Sequence, residues 1–489
     1  MKKASRALPL ILILGLIAWR FLHFGAELDL PHDWRQADTA YYIWDFYQNG
    51  IDLLHPAVWW MGASDTVILE FPLPEAIVAQ VQSWFGESMW LSRLVFLLFF
   101  LLCTYYFYRI VELLLDEQTA LWATVIYLAL PLAQFYSRAI HIDFFAQAFA
   151  YATFYYAMLG VKNRAVIQLI LSASCAAVAL LVKAPYLFFL ALPVLVFAYH
   201  AQALSWVLKH SLVYLPSLLA FVFWQQHVYA INSAAPDWDY ILHYRKFDQN
   251  ASWYFGVFEQ RLRLYFWKEI GLRIILEAGA LIPVLLLPWF WLREKEKASI
   301  HVLAGWVVGL GIYVLLFFNL NVFHNYYQIP FLGPVAIFTA LALRELRKRF
   351  GNPIFVGVLS FCIIVCTAFA EQKYYQLAPE LDEVGAEIRK VLPPTALPII
   401  VYQDFDCRNP RILYRARRRG WSLEEEAANP NVVQRLIEEA GATHLVVFKG
   451  SSQATNLLSE TPTHRIKSAR TIRTASNKSR IVVVEVSSE

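Results

Sequence analysis

Charge is what this sequence has least of. Asp, Glu, Lys and Arg make up 16% of 489 residues while 58% are hydrophobic, whereas a soluble domain of this size carries roughly a quarter charged residues. That scarcity excludes an ordinary water-soluble enzyme and makes a bilayer the solvent. The net charge is only +4 and the basic residues are scattered along the chain, which excludes a nucleic-acid partner, because that requires a concentrated basic surface. Cysteine is also sparse. Cys103, Cys175, Cys362 and Cys366 lie inside apolar runs and Cys407 stands alone, so there is neither a disulfide framework nor a CxxC metal pair. No internal repeat or low-complexity tract appears.

What the chain does have is long apolar runs edged by Trp and Tyr, the side chains that favour the membrane-water boundary. The N-terminus reads Met-Lys-Lys-Ala-Ser-Arg before an apolar run from Leu8 to Phe24. It resembles a signal peptide without a small-residue cleavage site, and is read as an uncleaved first span. Lys2, Lys3 and Arg6 then hold the N-terminus in the cytoplasm. Apolar stretches near 8–24, 90–108, 119–137, 144–160, 165–182, 186–200, 211–228, 273–292, 300–318, 329–343 and 353–370 predict about 11 transmembrane helices. Counting from an inside N-terminus, Arg109, Lys162, Arg164, Lys209, Arg293, Lys295, Lys297, Arg344, Arg347, Lys348 and Arg349 fall in cytoplasmic turns. The long aromatic and acidic connections, 25–89 above all, fall outside.

Within that first outer loop Asp38, Tyr42, Asp45 and Asn49 recur at helical spacing beside an apolar-aromatic side of Ala37, Ala40, Tyr41, Trp44 and Tyr47. This predicts a juxtamembrane helix. A second is predicted over 75–85, opened by Pro72 and Pro74. After Glu371 the composition turns charged and mixed. A helical pattern over 381–392, an apolar strand over 397–402, a helix near 431–440 and strands at 444–448 and 480–486 predict a small C-terminal α/β domain. The expected division is a transmembrane module, 1–371, and an extracytoplasmic domain, 372–489.

The chemistry-bearing residues sit at the outer ends of spans. The first loop holds His32-Asp33-Trp34-Arg35-Gln36-Ala37-Asp38-Thr39-Ala40-Tyr41 and Glu70-Phe71-Pro72-Leu73-Pro74. Later turns hold Ser137-Arg138-Ala139-Ile140-His141-Ile142-Asp143, then Leu181-Val182-Lys183-Ala184-Pro185, then Phe323-His324-Asn325-Tyr326-Tyr327-Gln328. Read one by one, each has a plain explanation. Glu70 is a helix cap, Arg138 and Lys183 are snorkelling cations, His324 and its tyrosines are belt residues, and Asp143 is a partner for a helix dipole.

Together these loops resemble the GT-C superfamily of polyprenyl-phosphate-sugar-dependent glycosyltransferases, particularly bacterial relatives of the protein O-mannosyltransferases and the aminoarabinose transferases. The resemblance covers most of the chain. It implies a GT-C-like polytopic α-helical membrane fold, with two juxtamembrane helices in the first outer loop. It also implies transfer, with inversion, of a sugar from a polyprenyl-phosphate donor to a glycan, lipid or protein acceptor at the outer face of a bacterial cytoplasmic membrane. Such transfer needs a carboxylate to take the acceptor's proton and cations to neutralise the departing phosphate. Asp38 is the expected base, with Glu70 orienting the acceptor or a cation. Arg35, Tyr42, Arg138, Asp143, Lys183, His324, Tyr326 and Tyr327 are the expected substrate-binding residues. No cofactor is specified, and a divalent metal stays open, because Thr39 stands where many relatives carry a second acid.

Three features fit less directly. Residues 408–419 include six arginines, read either as a solvated helix face or as an edge that binds phosphate or lipid headgroups. Asn250 and Asn477 open glycosylation sequons. A transporter or flippase of a lipid-linked saccharide is the rival function, but it would place ionisable groups near the bilayer midplane.

Overall fold

The computed structural model describes residues 4–59, 62, 68–234, 251–280, 297–402, 410–424, 430–448, 466–473 and 480–486. Cys407, Arg408, Arg293, Lys295, both sequon asparagines and the second half of the expected span 273–292 lie outside them. The chain forms two compact units, one of residues 1–25, 89–226 and 250–375, the other of 26–88, 227–249 and 376–489.

The first unit is helical. Its leading elements are α1 (Ala4–Trp19), α4 (Met89–Leu114), α5 (Glu117–Ala129), α6 (Pro131–Tyr136), α7 (Asp143–Asn163) and α8 (Val166–Lys183). Among the described residues seven helices are long and apolar enough to cross a membrane, including α4, α7, α8 and Ala298–Leu316. The expected spans 329–343 and 353–370 form one run, Leu332–Lys373, interrupted at Gly351, whose backbone is not helical. The expected span 119–137 is two shorter helices. Pro131 cannot donate a hydrogen bond and holds Leu130 extended.

That break matters for the site. The Leu132 amide turns away to the Glu277 carbonyl, freeing the carbonyls of Leu128 and Ala129. Arg20 Nη2 takes the first at 2.8 Å and Gln134 Nε2 the second at 2.6 Å. Arg20 also donates from Nε to Ser137 Oγ at 2.8 Å. A buried arginine on the first span thus fixes the turn that carries Arg138 into α7.

The second unit joins residues 26–88 to the terminal residues 376–489. Helices α2 (Asp33–Asn49) and α3 (Leu73–Phe85) lie where the sequence predicts. Gly50 ends α2 with φ +94°, a conformation glycine adopts freely. Strands β1 (Asp29–Leu30) and β2 (Gln376–Leu377) pair antiparallel. The terminal sheet has the order β4-β3-β5-β7-β6, with β3 (Pro398–Tyr402), β4 (Trp421–Glu424), β5 (His444–Phe448), β6 (Ile466–Arg473) and β7 (Arg480–Val486). β3 pairs parallel with β4 and β5, while β7 pairs antiparallel with β5 and β6. Ile399, Ile400 and Val401 of β3 are all buried, as a central strand covered on both faces requires. Helix Pro430–Glu438 buries Val433, Leu436 and Ile437, one side of a helix by their spacing.

Candidate active site

In the second unit the expected base sits on a helix buried almost all round. Asp33, Arg35, Gln36, Asp38, Thr39, Tyr41 and Tyr42 are each buried, so the polar side of α2 is not a wetted face. Asp38 itself is 3% exposed. Arg35 Nη2 donates to Glu70 Oε2 at 2.5 Å. Tyr42 accepts the Leu69 amide at 3.3 Å on its hydroxyl, and Asn232 brackets the backbone of Ile68 with bonds of 2.7 and 2.9 Å. These bonds hold the Glu70 segment against α2. Burial first, and then the charges of Asp38 and Glu70, keep the Tyr42 hydroxyl well above its ordinary pKa.

Glu75, in the first turn of α3, joins this group. It is buried, and its Oε2 has no hydrogen-bond partner among the described residues. Desolvation, opposed by Arg35, pushes its carboxyl up to about 8. Sequence reading passed over Glu75 because it lies inside the expected second helix, where an acid in the first turn is ordinary. Glu70 makes no cap: the N-cap of α3 is Pro72, without a side-chain bond.

In the first unit the turns before α7 and after α8, with the segment from His324, form a second cluster. Asp143, the first residue of α7, accepts from Lys183 Nζ at 2.7 Å on Oδ1 and lies 2.5 Å from His141 Nδ1 through Oδ2. Tyr186 donates its hydroxyl to Asp143 and also bonds the Tyr326 carbonyl at 2.8 Å. Lys183 Nζ lies 4.5 and 4.4 Å from the ring centres of Tyr326 and Tyr327, a cation held over π faces. His324 stacks on Tyr326 at 5.0 Å, and His141 packs against the same ring at 4.6 Å. Arg138 is fully buried, its guanidinium 4.5 Å from the Tyr375 ring centre. Arg138 and Lys183 are therefore not snorkelling, and Tyr326 and Tyr327 are buried rather than belt residues.

Three contributors carried no sequence signal. Tyr186 is one tyrosine among many beside an apolar run. Asn325 sits inside a quoted motif but gains meaning only from its partners, donating to Glu277 at 2.6 Å and accepting from Tyr136 at 2.6 Å. Glu277 also accepts the Tyr374 hydroxyl at 2.6 Å, joining segments far apart in sequence.

The arginine-rich run fits neither of its sequence readings in the described residues. Arg411 and Arg418 are buried, while Arg415, Arg417 and Arg419 pair with Glu27, Glu87 and Asp45. Arg418 donates to backbone carbonyls, and the other described arginines form ion pairs within the second unit; Asp382 apart, the acids they meet lie more than 300 residues away and so do not show in the sequence.

A metal does not fit these residues as they stand. Among the described residues no three His, Cys, Asp or Glu side chains stand together as a metal site, and Arg35 engages Glu70, the acid that would join Asp38.

Residues 70–229 match the family of dolichyl-phosphate-mannose-protein mannosyltransferases. No curated protein matches the chain. Among solved structures, ArnT from Cupriavidus metallidurans bound to undecaprenyl phosphate aligns over 97% of both chains with a TM-score of 0.66 at 13% identity. The Archaeoglobus fulgidus oligosaccharyltransferase in complex with Zn and sulfate aligns over 90% of this chain and 68% of its own, with a TM-score of 0.56 at 12% identity. The same organism's AglB, with an inhibitory peptide and a dolichol-phosphate, covers 90% and 69% with a TM-score of 0.51 at 10% identity. The chain is a multi-pass membrane protein with the fold these structures share, and its residues 70–229 are similar to a mannosyltransferase family.

Proposed function

We propose that the protein transfers a sugar from a polyprenyl-phosphate carrier to an acceptor, with inversion, at the outer face of a bacterial cytoplasmic membrane. The N-terminus lies inside and the terminal domain outside. The observation that carries this reading is the mannosyltransferase match over 70–229, which includes Glu70, Arg138, Asp143 and Lys183. The full-length fold likeness to an ArnT with undecaprenyl phosphate bound adds the carrier class.

In the proposed step an acceptor hydroxyl or amine attacks the anomeric carbon. The bond from that carbon to the phosphate oxygen breaks, and its electron pair leaves with the polyprenyl phosphate. The acceptor proton passes to the Asp38 carboxylate. Glu70 orients the acceptor, and Arg35 and Tyr42 bind beside it. Lys183, Arg138, His324, Tyr326 and Tyr327 take the phosphate, whose charge grows as the bond breaks. Asp143 binds no substrate in this scheme. It fixes Lys183 and His141, which supports a positioning part for it.

The test is transfer assayed with purified protein in nanodiscs, using a panel of undecaprenyl-phosphate hexoses and pentoses, together with mass spectrometry of envelope glycans and lipids with and without the gene. Release of undecaprenyl phosphate and loss of one glycan sugar in the deletion are expected. Movement of a lipid-linked saccharide between leaflets with no bond cleaved would overturn the reading.

A further inference from the structure

The run 411–419 grips α2, the helix that carries Asp38. Arg411 is fully buried. It forks onto both oxygens of Asp382, Nε at 3.2 Å and Nη2 at 2.8 Å, and spends Nη1 on Asp33 at 3.0 Å. Asp33 opens α2, whose N-cap, His32, makes no side-chain cap bond. Two turns and more along, Arg419 donates from Nε to Tyr41 at 2.8 Å and lies 3.5 Å from Asp45. Arg417 pairs with Glu87 and lies 5.5 Å from the Trp44 ring centre.

The backbone joins in. Gly420 donates to the Trp59 carbonyl at 2.9 Å and accepts the Gly62 amide at 3.0 Å, and Trp59 packs on Tyr41 and Trp44 at 4.0 and 5.1 Å. Gly420 is required there, since a Cβ would stand 2.1 Å from the Pro398 carbonyl oxygen.

At roughly 100° per residue, Asp33, Tyr41 and Trp44 share one side of α2, and Asp45 stands about 20° around the axis from Asp38, two turns further along. A grip on these four residues therefore sets the rotation at which Asp38 is presented. A buried guanidinium shared by two carboxylates has little freedom, because either partner left alone becomes an uncompensated buried charge.

We propose that 411–419 is a clamp by which the terminal domain fixes the position and rotation of α2, making Arg411 and Arg419 positioning residues for Asp38. The catalytic consequence rests on the reading of Asp38 as base; the clamp itself does not. This assigns the terminal domain a part in the reaction without contact with substrate.

The test uses the full-length protein in nanodiscs, with Arg411→Lys, which keeps the charge but not the fork, Arg419→Gln, and Arg435→Gln as a control on helix Pro430–Glu438. Amide hydrogen exchange of α2 is expected to rise about tenfold in the first two variants. Carbodiimide labelling of Asp38 should accelerate with it, while β5 and the control stay at wild-type rates. On whichever undecaprenyl-phosphate sugar the wild type uses, kcat should fall about 100-fold for Arg411→Lys with KM for the donor unchanged.

Wild-type exchange and labelling in both clamp variants would overturn the proposal. So would exchange that rises equally in β5, since that marks general unfolding. If Arg411→Lys does not accumulate as folded protein, Arg419→Gln decides the matter by the same readings. If the wild type transfers no sugar, the proposed function fails, while exchange and labelling still decide the clamp.

Discussion

The two polar clusters handle charge in opposite ways. In the membrane unit three cations, Arg138, Lys183 and Arg273, stand with two carboxylates, Asp143 and Glu277, and every member is packed against aromatic rings or hydrogen-bonded. In the second unit Arg35 binds Glu70 and acts on Glu75, and Asp38 lies near them beside Tyr42. The first has a surplus of positive charge, suited to a phosphate, and the second a surplus of acid, suited to a proton. The physical difference lies in the partner each surplus awaits: neither cluster is neutral until an anion or a proton joins it.

Experiments can break that contrast. The largest effect is expected on the acid side, where Asp38→Asn should lower transfer by about 10²- to 10⁴-fold, the usual range for removing a general base. Product formation at saturating donor with equal protein in the membrane checks it, and near-wild-type transfer would remove the acid cluster from the mechanism. On the cation side Asp143→Asn should destabilise the protein by about 3–5 kcal/mol, because it leaves Lys183 buried without its carboxylate. The double variant Asp143→Asn with Lys183→Met should recover much of that loss in thermal unfolding of detergent-solubilised protein. Full additivity would mean the pair is not coupled.

Tyr186→Phe should cost less, about 1.5–3 kcal/mol, through a lost hydrogen bond to a charged group. It should leave the activity of the folded fraction closer to wild type than Asp38→Asn does.

The subtlest effect is in pH. Glu75 is raised to about 8 when folded, whereas an unfolded Glu titrates near 4.3. Its contribution is therefore fully present below about pH 4 and is lost as pH rises toward 8, because the unfolded chain releases the proton first. Glu75→Gln should flatten the decline in thermal stability between pH 5 and 8, by at most about 1.4 kcal/mol per pH unit. An unchanged slope would place an ionised Glu75 in the cluster and deepen the acid surplus.

How legible the molecule is in its sequence depends on the range of the interaction. Helix α2, the proline-opened α3 and strand β5 are readable because each is specified by neighbours within a turn or a strand's length. Strand β4, only four residues long, and strand β6, Lys-Ser-Ala-Arg-Thr-Ile-Arg after Ile466, escape notice, since pairing with a neighbouring strand rather than an apolar alternation makes them strands. The break at Pro131 was hidden by the hydropathy of both halves.

At the sites, the loop motifs and their resemblance to GT-C enzymes are what singled out Asp38, Glu70, Arg138, Asp143, Lys183 and His324 as candidates; read one by one, each had a plain structural explanation. The sequence could not determine which charges offset one another. That Lys183 belongs to Asp143, Arg35 to Glu70 and Arg411 to Asp33 was decided only by folding. Burial turns weak attraction in water into strong pairing, and the partners can be far apart in the chain, Arg411 and Asp33 by 378 residues. Local pattern determined a helical membrane protein with polar loops; the tertiary structure divided those loops into one group rich in acid and another rich in cations.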